Sequence, residues 1–306
     1  MFRRTWRRPL ILCVAAAGCA ALVVAQDAPR EDLEGYVYRD VNGVPLDNQS
    51  NDWIETMLEQ GVVVSRKNIP VGVTNPQQLV LAYGDVQVHA SHKDIDRTER
   101  NKRDRGPGGR TIYREWRDWY GYDIAAYRLD QLLGLNRVPP TVERRVKRTR
   151  GAVSIWLENT ITERERKQQK IDPPDIARFN QQKQTLRLFD NLVANRDSNL
   201  GNALIDANWR LWFIDFSRCF GTSDDLIYPE AVTHCDREVL EALRKLDRGA
   251  ADTELSEHLS RYEIDALFAR RDKLVAHVEQ LIAEKGETMV LFDNRPATAT
   301  APWASD

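Results

Sequence analysis

Between residues 195 and 202 the chain reads Asn-Arg-Asp-Ser-Asn-Leu-Gly-Asn, and thirteen residues after Asn202 stands Asp215, in Phe213-Ile214-Asp215-Phe216-Ser217. These residue types at these spacings suit phosphoryl transfer. Asp197, following a helix, can orient and deprotonate an attacking hydroxyl. Asn202 can coordinate a metal ion, and Asp215, at the end of a hairpin, can hold cations that neutralise phosphates. The bare Asp-x4-Asn pattern is expected by chance about once in a chain of this length, and an Asp at a fixed later spacing improves the odds roughly twentyfold. The same three residues also fit two turn positions and a strand-end acid, and spacing alone does not choose between these readings.

The elements that must position them fall into two groups. Ser50 or Asn51 caps a short helix carrying Trp53, Ile54, Met57 and Leu58, stopped by Gly61. A strand-rich stretch follows: residues 61–64, residues 71–74, and a hairpin of Leu79–Tyr83 and Val86–Ala90 around Gly84-Asp85. Residues 94–110 carry six basic side chains with acids among them and read as a polar loop, a solvated surface rather than a phosphate grip. A helix is predicted from about Trp119 to Gly134, with Ile124, Tyr127, Leu129, Leu132 and Leu133 on its apolar face. Pro139-Pro140 then forces extended chain, and residues 141–146 and 152–157 read as strands around Gly151.

From Asp172 the character becomes helical. Asp175 caps a helix running through Phe179, Leu186 and Phe189 to about Ala194. A hairpin of residues 204–205 and 211–214 follows, then helices at about 237–247 and 262–285. The Ala/Thr/Pro-rich tail is predicted to be disordered.

Arg3, Arg4, Arg7 and Arg8 precede a run of 16 apolar or small residues from Leu10 to Ala25, which reads as an export signal cleaved before Gln26. Sixteen residues is short for a bilayer span, so membrane attachment is expected only through an uncleaved leader. The whole chain has 44 basic and 46 acidic residues; without the four leader arginines the balance is 40 against 46, which does not suggest bulk nucleic-acid binding. The five histidines make no zinc spacing, and neither G-x-S-x-G nor C-x-x-C occurs. Cys219 and Cys235 remain after the leader. They are either two buried thiols or, in an oxidising compartment, a pair with Cα atoms within about 7 Å that closes a short loop.

The 195–202 loop resembles the catalytic loop of the protein-kinase-like superfamily, H-R-D-x-x-x-x-N, with Asp215-Phe216-Ser217 in place of D-F-G. Tyr122-Asp123-Ile124-Ala125-Ala126-Tyr127-Arg128-Leu129-Asp130, then Leu133-Gly134-Leu135 and Val138-Pro139-Pro140, resembles the helix and exit of the atypical secretory-pathway kinases: the Golgi casein kinase, the xylosylkinase and the four-jointed kinase. A weaker similarity extends to phosphoinositide and HipA-like kinases. The resemblance implies an α+β, bilobal protein-kinase-like fold with a β-rich N-lobe and a mainly helical C-lobe. It implies ATP or another nucleoside triphosphate with Mg or Mn. Lys93, held by Asp123 or by Glu115, contacts the phosphates; Gly72 stands for the glycine-rich loop; Trp156 to Glu158 cover the adenine. Asn202 and Asp215 hold the metal, and Asp197 is the base. The chain departs from the pattern at Asn195, where a His is usual, at Ser198-Asn199 in place of Arg-His, and at Asp123, where the longer Glu is expected.

The implied division is a signal peptide (1–25), an extension (26–60), an N-lobe (61–158), a C-lobe (159–290) and the tail (291–306). The implied function is an exported, periplasmic or secreted kinase acting on a hydroxyl of a protein, glycan or small molecule. The alternative is an exported pseudokinase serving as a binding or scaffold module.

Overall fold

The computed structural model describes residues 36–69, 76–106, 109–294 and 301–303. The leader and Gly72 lie outside the described residues, as does the side chain of Glu115.

Helix α1 (Asn51–Gln60) begins where Ser50 Oγ accepts the N–H of Trp53, and it ends at Gly61, where a Cβ would come 2.6 Å from Met57 O. It lays Ile54, Met57 and Leu58 on a five-stranded sheet. The strands are β1 (Val62–Asn68), β2 (Gln77–Tyr83), β3 (Val86–Lys93), and, later in the chain, β6 (Thr141–Val146) and β7 (Thr149–Ile155). Their order is β1-β2-β3-β7-β6, with every neighbouring pair antiparallel. Alternation puts Leu79, Leu81, Val88, Ala90, Val153 and Ile155 on the core side. The turn between β6 and β7 falls at Lys147, in the left-handed region at φ 55°, and Gly151 sits inside β7. Gly151 is needed there because a Cβ would lie 2.4 Å from Lys93 O.

The expected loop at 94–110 is instead half of a ribbon. Strands β4 (Asp96–Gly106) and β5 (Gly109–Trp119) pair along their whole length, with the positive φ of Asn101 marking an irregularity, and form a separate two-stranded sheet. Charged residues mask the strand because neither face of a free ribbon needs an apolar row; cross-strand pairs such as Arg117 with Asp96 serve instead.

Helix α2 (Gly121–Leu133) is buried on nearly every side; most of its side chains join the C-terminal core, while Ile124 packs with Ala152 of β7. Gly134, at φ 64°, closes it by donating to the carbonyls of Asp130 and Gln131. The C-terminal part holds β8 (Ile161–Thr162), α3 (Glu163–Gln169), α4 (Ile176–Leu192, capped by Asp175), β9 (Ala203–Ile205), β10 (Leu211–Phe213), β11 (Cys235–Asp236), α5 (Arg237–Lys245), α6 (Arg248–Leu255), α7 (Arg261–Lys285), α8 (Glu287–Val290) and β12 (Leu291–Phe292). Its core is built on Tyr127, Phe179, Phe189, Phe213, Phe216 and Leu267. Strand β10 serves both cores: Leu211 and Phe213 face the helical one, and Trp212 between them faces the sheet.

The tail is not wholly unstructured. Strand β12 pairs in parallel with β11, Ala301 is buried and donates its N–H to Ala207 O, and Trp303 meets Trp209 edge-on at 5.0 Å. Indole contacts that reach back to the β9–β10 turn hold what composition alone marks as loose. Among the described residues, no helix is long and apolar enough to cross a membrane.

Candidate active site

Lys93 ends β3, and its ammonium meets two carboxylates. Nζ lies 2.9 Å from Asp123 Oδ2, 3.2 Å from Asp123 Oδ1 and 2.7 Å from Asp215 Oδ1. Asp123 comes from the first turn of α2 and is buried. Asp215 follows β10 at φ 67°, a left-handed conformation that is uncommon for a residue with a Cβ. The backbone around it is tied down: the N–H of Phe216 donates to Asp123 Oδ1 at 2.8 Å, and the N–H of Trp119 donates to Ser217 O at 2.7 Å.

Burial pulls the Lys93 ammonium down, but the two carboxylates outweigh burial and hold its pKa above the usual lysine value. Asp215 is held below the ordinary carboxylate range, chiefly by the Lys93 charge. Burial raises Asp123. One cation between two carboxylates leaves a surplus negative charge beside Lys93, which suits a divalent ion.

The loop after α4 is organised by a buried acid below it. Asp190 accepts the Asn195 amide at 2.7 Å on Oδ1 and the Ser198 hydroxyl at 2.6 Å on Oδ2. Asn195 Oδ1 in turn accepts the N–H of Asp197 at 3.1 Å. Asn195 therefore serves as a tether where the kinase pattern has His. Burial pushes the Asp190 carboxyl up to about 7.

Asn202 donates its amide to Asp197 O at 3.2 Å, which leaves Oδ1 as its donor to a cation. The N–H of Ile214 donates to Asn202 O at 3.0 Å, so Asn202 is paired with the residue just before Asp215. Asn202 and Asp215 offer hard oxygen atoms only. That set fits Mg or Mn, which keep waters and complete their shells with substrate phosphates rather than with an all-protein cage. Among the described residues, no three His, Cys, Asp or Glu side chains gather to hold a metal.

Trp156 and Glu158 lie where β7 leaves the sheet. The Trp156 N–H donates to His89 O at 3.0 Å, and Glu158 pairs with His89 Nδ1 at 2.7 Å. The geometry thus brings together Lys93, Asp123 and Asp215, ties Asn202 to Asp197, and puts Trp156 and Glu158 at the exit of the sheet.

Arg218 was not legible as a site residue. Its Nη1 donates to Asp197 Oδ2 and its Nε to Asp118 Oδ2, both at 2.7 Å. An arginine three residues after an acid has no distinguishing pattern.

Cys219 and Cys235 are free buried thiols, not a disulfide. Cys235 Sγ is 3.3 Å from Asp236 O, a side-chain-to-backbone contact in place of a bridge.

No protein-family model matches the sequence, and no curated protein matches it. Solved structures do. A structure of hydra Fam20 with sugar superposes at a TM-score of 0.61 and 15% identity, covering 87% of this chain and 97% of the other. The Golgi casein kinase with Mn and ADP bound superposes at a TM-score of 0.55 and 15% identity, covering 82% of this chain and 81% of that one. A second structure of the Golgi casein kinase gives a TM-score of 0.56 at the same identity and coverage.

Proposed function

We propose, from a fold shared with the Fam20 and Golgi casein kinase structures, that the chain is an exported kinase that moves the γ-phosphoryl group of a nucleoside triphosphate to a hydroxyl. The observation that carries this reading is the single Lys93 ammonium shared by Asp123 and Asp215, with Asn202 tied beside Asp215 through Ile214. Lys93 binds the phosphates. Asp123 holds Lys93 in place and fixes the backbone of Phe216. Asp215 and Asn202 hold Mg or Mn, which would supply neutralisation of phosphate charge. Asp197 orients and deprotonates the acceptor hydroxyl. Trp156 and Glu158 border the adenine. Export rests on the leader, and the acceptor is a hydroxyl of a protein, glycan or small molecule.

The test is thermal unfolding of the protein with Mn and ATP, followed by labelled ATP turnover. A ligand at about 100 times its Kd adds about 2.7 kcal/mol of stability. Stabilisation lost in Asp215→Ala, with turnover lost in Asp197→Ala, is the expected result. Stabilisation without turnover would favour the pseudokinase module, and no shift with any nucleotide would overturn nucleotide binding altogether.

A further inference from the structure

Arg218 ties three segments together beside Asp215. It lies three residues after Asp215 and reaches Asp118, at the end of β5, and Asp197, in the loop after α4. The two ends are unequal. The Asp118 side chain is 3% exposed and that of Asp197 is 44% exposed. The guanidinium also lies 5.5 Å from the centre of the Trp116 ring. The backbone beside the clamp is fixed as well, since the N–H of Trp119 donates to Ser217 O at 2.7 Å. A guanidinium presents several donors in a rigid planar fork, so Nε can be anchored while Nη1 is aimed. One end of this contact is set in the protein, and the other governs an accessible carboxylate.

We propose that Arg218 is the positioning residue for Asp197, and that Asp118 is its buried anchor. By engaging Oδ2 it leaves Oδ1 as the oxygen that meets an acceptor hydroxyl. It also keeps the carboxylate from swinging toward a cation at Asp215 and Asn202. A base acts only within hydrogen-bond reach of the proton it takes, and a third group that orients it is the general device. The base of the β4–β5 ribbon thereby supports Asp197 from behind without touching a reactant. The inference rests on the phosphotransfer reading above.

The experiment compares Arg218→Gln, Arg218→Lys, Asp118→Ala and Asp118→Asn in the full chain, with Mn and ATP and with ADP formation as the rate. Arg218→Gln and Asp118→Ala are expected to lower kcat by about 10- to 100-fold, the scale of a misplaced reacting group, with KM for ATP within about twofold. Arg218→Lys is expected to fall short of the wild type, since an ammonium lacks the rigid fork that anchors one donor while aiming another. Asp118→Asn is expected to retain most activity, because its amide oxygen still accepts from Nε. Amide hydrogen exchange of residues 195–202, measured without nucleotide, is expected to rise in Arg218→Gln and Asp118→Ala and not in Asp118→Asn. If exchange follows that order while even the wild type consumes no ATP, the clamp stands and the phosphotransfer reading falls. Unchanged kcat and unchanged exchange in both defective variants would overturn the clamp, as would a rise in KM alone.

Discussion

The backbone N–H of Phe216 donates to Oδ1 of Asp123 at 2.8 Å, so the carboxylate that pairs with Lys93 also fixes the peptide that follows Asp215. The first turn of α2, the end of β3 and the segment after β10 are thereby locked to one side chain. An Asp does this where the resembling families favour Glu. Helix α2 packs on the C-terminal core and, through Ile124 and Ala152, on β7, and its first turn carries Asp123 to within 2.9 Å of Lys93.

Removing the cation should therefore damage folding and binding separately. Lys93→Met leaves Asp123 buried without a positive partner, a change expected to cost about 3–5 kcal/mol. The double variant Lys93→Met/Asp123→Asn should recover part of that loss in urea unfolding. Neither variant should be stabilised by Mn and ATP. Full nucleotide stabilisation of the double variant would remove Lys93 from the site.

Asp190 predicts a pH dependence. Its carboxyl is raised from an ordinary value near 3.8 to about 7 by burial. Between those values the unfolded chain has already lost the proton that the folded chain keeps, so stability falls as pH rises through this window and levels off above about 7. Asp130, also raised to about 7 by burial, adds a slope of the same sign. Asp190→Asn should make the curve shallower by about one group's share and be relatively more stable above pH 7, by a few kcal/mol at most. An unchanged slope in equilibrium unfolding from pH 4 to 8 would contradict the assignment.

Gly151→Ala should loosen the site from behind. The added Cβ would sit 2.4 Å from Lys93 O and 2.7 Å from His92 Nε2, so β3 must move away from β7 where Lys93 is held. A loss of about 1–3 kcal/mol is expected from such overpacking, with weaker stabilisation by Mn and ATP. Unchanged unfolding midpoints with and without nucleotide would refute it.

The thiols at 219 and 235 should resist labelling in the native protein. Burial pushes Cys235 up to about 12 and Cys219 well above the usual thiol value, so little thiolate is present at neutral pH. Mass mapping after alkylation should find both positions unmodified when native and both modified after unfolding in denaturant without reductant. A 219–235 disulfide peptide would contradict the structure.

Much of the site was legible because its parts leave local marks. The Ala125-Ala126-Tyr127-Arg128-Leu129-Asp130 to Val138-Pro139-Pro140 stretch, the most specific part of the resemblance, has a physical cause at its joint. Asp130 reaches past the end of α2 and accepts the N–H groups of Arg137 and Val138 at 2.9 and 3.2 Å, fixing the extended chain that enters β6. The hairpins around Gly84 and residues 206–208 were marked by turn residues. The β4–β5 ribbon was hidden because charged strands carry no apolar alternation. The packed tail was hidden because Trp303 gains its neighbour Trp209 only in three dimensions. The clamp of Arg218 on Asp118 spans a hundred residues and carries no spacing rule.

Strand β10 is only three residues long, yet Trp212 is driven into the sheet's core while Leu211 and Phe213 are driven into the helical one. It works as a pin through both halves, and Asp215 hangs two residues beyond it. To part the two cores at β10, Trp212, 2% exposed, would have to be drawn out of its packing. In the phosphotransfer reading, nucleotide is expected to come and go while the strand that leads to Asp215 stays pinned by Trp212.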